Sequence, residues 1–472
     1  MNHQLFFLFI GLLSACSVKA QYWEHTYGGH GSDEARDVEV LSNGQVMVLG
    51  STGSFGTGTS DFYSILIDPQ GSIIWSKTFG GYGIDVGRSI AVSSAGILLV
   101  GFSNSHGAIG YNGYAILISD EGEIIWEESY GTENWDFFVK AVPLENGFIL
   151  AGHRYGDDTL QGDAWVVRID EAGGVVWSET FGGLFADKIH ALIIGEDGDI
   201  YASLESIMGM DGSKASIWRI ATETGESEQV FEMQGNSVIT GLHKHDGVIA
   251  FCGYTELSGI MVLVGTLDYE GSVDLIIHTG PNDYFLSDIV DGEFGYIMTG
   301  HIQGSGVGGR DAFLMFVDFE LGYIQGLTFG SEHDEASYAI SRTTDGLIFA
   351  GYTDGYGPGV RAVHIVKTNM SGSTQGAPVI SFFDPVSVPT HASATFSIHP
   401  NPVSSGSTLH VGPPTGRHIR TITLTDLSGR VLATERCTGC TQIVMPNLTA
   451  GMYQISLEFD DGQRSARSVV VE

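Results

Sequence analysis

An all-β chain, a seven-bladed β-propeller followed by a small Ig-like β-sandwich, is predicted by three observations. Tryptophans recur at a fixed period, at Trp23, Trp75, Trp126 and Trp177, about 51 residues apart. Around each one the same text returns: Tyr27-Gly28-Gly29, Phe79-Gly80-Gly81, Tyr130-Gly131-Thr132 and Phe181-Gly182-Gly183, with Asp33, Asp85, Asp136 and Asp187 five residues after the first glycine. The pattern then stops near Gly376 and a different run of short alternating strands follows. A repeat of this length that never shows helical periodicity is the signature of a ring of four-stranded sheets.

Each unit resolves into four strands. In the first they are 35–41, 45–50, 61–67 and 72–79. Val46-Met47-Val48-Leu49 and Phe62-Tyr63-Ser64-Ile65-Leu66-Ile67 have the β-branched and aromatic content of buried strands. Ser42-Asn43-Gly44 and Asp68-Pro69-Gln70-Gly71 supply the turns between them. Worn units begin near Gln234-Gly235, at Thr279-Gly280-Pro281 and at Phe329-Gly330-Ser331, which brings the number to seven. The last unit has no closing strand: after Ser371-Gly372 comes Ser373-Thr374-Gln375-Gly376, where an Ile-Ile-Trp strand is due. Tyr22–Tyr27 has the missing text, so the N-terminal strand is expected to complete the seventh blade. The expected division is 1–20 signal peptide, 21–376 propeller, 377–395 linker with Pro378, Pro385 and Pro389, and 396–472 sandwich.

The leader has an apolar stretch from Leu5 to Leu13 and a Val18-Lys19-Ala20 cleavage site, so cut between Ala20 and Gln21 is expected. Leu13-Ser14-Ala15-Cys16 resembles a lipobox, the alternative route to maturation. No other segment has 18 unbroken apolar residues, so no transmembrane helix is expected in the mature chain. Net charge is −35, from 21 Lys and Arg against 56 Asp and Glu. Such a surface repels phosphate backbones and anionic membranes, so nucleic acid is not an expected partner. The charge reads first as solubility in a salty exterior; no cofactor is expected, although carboxylates in this number could take calcium. Cys252 lies in an apolar run and reads as a buried small hydrophobe. Cys437-Thr438-Gly439-Cys440 reads as a local disulfide in an oxidising exterior.

The repeat resembles the Gly-Gly/Asp/Trp propeller repeats of secreted Bacteroidetes proteins over 21–372. The C-terminal module resembles the type A sorting domain of the type IX secretion system. The motifs that carry this are Pro400-Asn401-Pro402, the Asp426, Gly429 and Arg430 of an Asp-x-x-Gly-Arg turn, and the Leu448, Gly451 and Tyr453 of Leu-x-x-Gly-x-Tyr. Two departures are His399 where tyrosine is usual and the terminal Val-Val-Val-Glu. The resemblance implies passage through the periplasm and handling by the type IX machinery, leaving the protein secreted or on the outer cell surface.

A residue present in every well-kept unit reads as scaffold, so Asp33, Asp85, Asp136 and Asp187 are expected to cap turns, and Trp75, Trp126 and Trp177 to pack between blades. Trp135 breaks the pattern, since Ser32, Ile84 and Ala186 hold its slot elsewhere. In the same unit, 153–162 reads as a long loop carrying His153, Arg154, Tyr155, Asp157 and Asp158. Aromatic and polar groups on one rim point to a ligand site for a glycan or a surface protein. No catalytic motif is present, so no residue is assigned as catalytic. The expected function is non-enzymatic binding, adhesion or scaffolding, with a polysaccharide lyase or hydrolase on the same face as the alternative.

Overall fold

A computed structural model describes residues 22–383 and 397–471 apart from short stretches within each, and these form two compact units divided at Val388 and Pro389. No α-helix occurs among the described residues, and none of them forms a helix long and apolar enough to cross a membrane. The leader, with Ala20 and Gln21, lies outside the described residues, as do Cys437 and Cys440.

Among the described residues the first unit contains seven sheets, six of four strands and one of five. Six are continuous in sequence; the first is Asp33–Val40, Val46–Thr52, Asp61–Ile67 and Ile73–Phe79, joined by antiparallel ladders. The innermost strands, Asp33–Val40, Asp85–Ser93, Asp136–Leu144, Ala186–Ile194, Asn236–His245, Asp283–Asp291 and Glu335–Arg342, each touch the next, and the seventh touches the first. That cycle is what makes a ring, and it removes the free sheet edges that a linear stack would expose.

Closure follows the expected device. The seventh sheet takes Trp23–Gly28 from the N-terminus as its outer strand, with Trp23 opposite Lys367 and Tyr27 opposite Val363. A fifth strand was not expected. Val379–Phe383 lies in the stretch assigned to the linker, yet it pairs parallel to Trp23–Gly28, with Glu24 opposite Val379 and Gly28 opposite Phe383. The reason is chemical: Val-Ile-Ser-Phe-Phe is strand-forming text, and the outer edge of Trp23–Gly28 offers unpaired backbone groups. The flanking prolines disguise it.

Tryptophans at the fourth-strand position tie neighbouring blades. The indole of Trp75 donates to the Asp120 carbonyl at 3.0 Å, Trp126 to Glu171 at 2.8 Å and Trp177 to Thr222 at 3.0 Å. Trp23 makes the same bond across the seam, to Pro69 at 3.1 Å, and Tyr27 donates to the Gly71 carbonyl at 2.7 Å.

The repeated acids cap the turns that open each blade. Asp33 is fully buried; its carboxylate accepts from the Gly29 amide at 2.8 Å, from Ser54 Oγ at 2.6 Å and from Thr52. Asp85 accepts from Gly81 and Ser105, Asp136 from Thr132, and Asp187 from Gly183 and Ser206. In the seventh blade Glu335 does the same, accepting from the amide and hydroxyl of Ser331 and from Thr353. The glycine before the turn has no room for a side chain: a Cβ on Gly28, at φ +143°, would lie 2.5 Å from the Asp33 carboxylate.

The second unit is a sandwich. A sheet of Ser397–His399, Thr408–Gly412 and Gln442–Val444 shares one core with a sheet of Val431–Arg436, Ile419–Thr425, Gly451–Phe459 and Arg464–Val471. Leu409, Val411, Ile422, Leu424, Ile455 and Leu457 fill that core. Tyr453 is buried against it and its hydroxyl donates to the Thr449 carbonyl at 2.8 Å, which pins the turn after half-buried Leu448; Gly451, which opens the strand, is exposed. Pro400, Asn401, Pro402, Asp426, Gly429 and Arg430 lie outside the described residues.

Candidate functional site

Strand direction fixes which residues share the ring's mouth. Antiparallel pairing sets Asp136, the first residue of its inner strand, opposite Arg154, near the end of the next strand. The starts of the inner strands and the second-to-third connections therefore share one face.

On that face Trp135 and Tyr155 converge. The Tyr155 amide donates to the Trp135 carbonyl at 2.9 Å, and the Asp136 amide donates to Tyr111 of the preceding blade at 2.7 Å. These bonds gather one aromatic wall. Trp135 lies 5.7 Å from Tyr111 and 6.3 Å from Tyr155 and Phe137, ring centre to ring centre. Phe137 stacks on His153 at 4.9 Å, and Phe102 meets Phe137 edge-on at 4.9 Å. Trp135 is 54% exposed, at the rim, while the others are half-buried. Gly110 makes this approach possible: a Cβ there would lie 2.6 Å from the Trp135 indole and 2.5 Å from the Asn134 carbonyl.

His153 and Tyr155 sit on the strand Gly147–Tyr155, not on the expected loop, because pairing with Gly162–Ile169 extends as far as Tyr155 opposite Gly162. Alternation along a strand sends Arg154 to the other side. There it faces Asp136 at 3.4 Å and the Trp165 ring at 5.4 Å, so it serves the blade and not the wall. Asp157 and Asp158 lie outside the described residues. Burial, with Lys188, His190 and Arg88 nearby, pushes His153 down to about 4, so the imidazole is neutral at physiological pH and presents a flat apolar face.

Sequence reasoning missed most of the mouth. Every inner strand carries a β-bulge, and the residues left unpaired are Arg36, Arg88, Val139, His190, Thr240, Ser287 and Tyr338. Bulges re-aim side chains, and a simple two-residue period misplaces them. Arg36 pairs with Glu34 and lies 4.2 Å over Tyr338. Arg361 forks onto Asp354 at 2.7 and 3.0 Å and lies 3.7 Å over Tyr352. His190 meets Glu205 at 2.9 Å. In the sixth blade Phe285 stacks on His301 at 4.7 Å, the counterpart of Phe137 on His153. The phenylalanine–histidine slot itself was legible only by aligning the third and sixth units.

Further along the inner strands are Asp37, Glu39, Lys140 and Asp288. Asp37 accepts from the Ile90 amide at 2.8 Å and Asp288 from Ile340 at 3.0 Å, so each joins its blade to the next. Burial, with Asp37 adding to it and Lys140 opposing, pushes Glu39 up to about 8. The folded chain thus keeps the Glu39 proton between about 4.5 and 8, where the unfolded chain gives it up. Stability must fall as pH rises through that window. Glu39→Gln removes the dependence: its melting temperature should match the parent at pH 5 and exceed it by a few degrees at pH 8.5. Parallel melting curves across this range would contradict the assignment.

Among the described residues no three His, Cys, Asp or Glu side chains stand together as a metal site. His243 and His245 share Asp291 with Arg342, at 3.2, 3.6 and 2.8 Å.

Residues 397–472 match the family of secretion system C-terminal sorting domains. A tail of this kind directs export through the type IX system to the cell surface or extracellular space. No curated protein matches the chain. Among solved structures, the extracellular domain of BT4673 from B. thetaiotaomicron is 12% identical with a TM-score of 0.41; the match covers 93% of this chain and 56% of that one, so this chain spans about half its length. The β-propeller domain of the Trilobed protease from Pyrococcus furiosus is 9% identical with a TM-score of 0.43, covering 74% of this chain and 95% of that one. A protein of unknown function from Dyadobacter fermentans is 11% identical with a TM-score of 0.42, covering 74% and 98%. The ring is defined by its own strand pairing.

Proposed function

We propose that this exported ring is a non-enzymatic binding protein that holds a saccharide against the wall of Trp135, Tyr111, Phe137 and Tyr155. One observation carries the reading: these rings, drawn from two blades, converge around an indole left 54% exposed at the rim. Flat apolar rings with polar edges match the C–H faces and hydroxyl edges of sugars. Scaffold needs do not call for an exposed tryptophan, since other blades hold Ser32, Ile84 or Ala186 in its place. The alternative, a lyase or hydrolase, needs a proton donor and acceptor at the wall; His153, pushed down to about 4, carries no proton to donate at neutral pH and is a weak acceptor, which disfavours it.

A glycan array probed with the chain from Gln21 onward supplies the test. Any hit should lose about two- to tenfold in affinity in Trp135→Ala and in Tyr155→Ala, with melting unchanged, as expected for removal of a ring from a stacking contact worth about 0.5–1.5 kcal/mol. Hits retained by the double variant would contradict the reading. Release of reducing ends from a hit would move it to the enzyme alternative.

A further inference from the structure

The chain is strongly anionic, yet Arg88, a cation in its mouth, has no ion pair among the described residues. Arg88 is a bulge residue of the second blade and half-buried. It makes no hydrogen bond or ion pair to any described residue, and its Nε is shielded from solvent without a partner. Its guanidinium lies 5.6 Å from the centre of the Phe102 ring, which joins the aromatic wall through Phe137. The cations around it differ: Arg36 is satisfied by Glu34, and Arg361 by Asp354 and Glu34. Glu34 is the acid nearest in influence to Arg88, and it is already shared by those two arginines. Burial, with the like charge of Arg36 adding to it, pushes the Arg88 guanidinium down to about 10, still cationic at neutral pH.

Holding a half-buried guanidinium, its Nε shielded and unpaired, beside another arginine costs stability. Scaffold has no use for it: Val139, Thr240 and Ser287 fill the same bulge in other blades. The missing element is an anion that arrives with the ligand. A fork of N–H donors beside an aromatic wall suits an oxyanion attached to a sugar ring. The net charge narrows the choice further. At −35 the chain repels polyanions, but this repulsion is screened beyond about 8 Å at physiological ionic strength, so one isolated acidic group meets chiefly the local arginine while a densely charged polymer meets acidic surface along its length.

We propose that Arg88 receives a single carboxylate or sulfate carried by a saccharide whose apolar face lies on the Phe102–Phe137–Trp135 wall. The proposal rests on the saccharide reading above for its carrier, while the anion subsite stands on Arg88 itself.

The test has two arms, both on the chain from Gln21 onward and on its Arg88→Met variant, which keeps the length of the stem. In the first arm, melting is followed in sodium sulfate and in sodium chloride of equal ionic strength. Sulfate should raise the melting temperature of the parent by several degrees more than that of Arg88→Met, while without added anion the variant should melt no lower than the parent. An equal sulfate response in the two chains would overturn the subsite. In the second arm, calorimetric titration compares digalacturonate with its methyl diester. The acid should bind at least tenfold more tightly than the ester, and Arg88→Met should abolish that preference. A preference retained in the variant would overturn the proposal. If neither sugar binds while the sulfate difference persists, the subsite is upheld and the saccharide reading fails.

Discussion

Removing Tyr22–Gly28 should prevent the ring from closing and lower its melting temperature by about 10 °C. The segment is sandwiched between His364-bearing strand Ala362–Asn369 on one side and Val379–Phe383 on the other. Trp23 and Tyr27 are fully buried, and losing a buried aromatic side chain costs about 3–5 kcal/mol each. His364 also loses its 2.8 Å contact with Glu24, and the turn at Pro69–Gly71 loses its bonds from Trp23 and Tyr27, keeping that from Lys367 Nζ. For a unit of this size each kcal/mol is about 1–2 °C, so a total of about 8 kcal/mol reaches the stated shift. Deleting only Val379–Phe383 should cost far less, because it removes an edge strand and leaves the ring shut. A synthetic Tyr22–Gly28 peptide added in trans should restore part of the loss. A melt unaffected by the deletion would mean that the seventh blade stands with three strands.

Asp33→Ala should be the most damaging single substitution at the blade-opening turns. It removes the acceptor for the Gly29 amide, Ser54 Oγ and Thr52 Oγ1, and leaves these donors around a buried vacancy. Each stranded donor costs about 1–3 kcal/mol, so the sum is about 3–5 kcal/mol once some relax toward water. Glutamate should rescue partially, since Glu335 fills the equivalent place in the seventh blade. The same experiment discriminates a capping role from calcium. Capping predicts that EDTA leaves the parent's melting temperature unchanged; a drop with EDTA, restored by calcium, would reassign these carboxylates as ligands.

The ring was legible because its scaffold repeats. Tryptophans 51 or 52 residues apart and an acid five residues after a glycine encode the same contacts in successive blades, and the absent strand after Gly372 pointed to Tyr22–Tyr27. What hid was whatever departs from the repeat. Ser237 and Tyr284 stand one residue after the openings of the fifth and sixth inner strands, Asn236 and Asp283, so those units look worn although their pairing is intact. Arg36 and Arg88 reach the mouth through bulges, which shift the inside-outside alternation in mid-strand. Val379–Phe383 was masked by the prolines around it. Trp135 and Tyr155 were legible as departures, but only the bond from the Tyr155 amide to the Trp135 carbonyl reveals that they meet. Arg154, one residue from both His153 and Tyr155, was legible as a neighbour and faces away.

Hydrogen exchange, followed by mass spectrometry with and without bound saccharide, tests the central claim most directly. Binding at the aromatic wall predicts slowed exchange in peptides spanning 100–113, 131–139 and 150–156, and no change in the fifth blade or in the strands of the sorting domain. Slowing confined to the sixth blade around Phe285 and His301, or to the opposite face around His243 and Asp291, would contradict it.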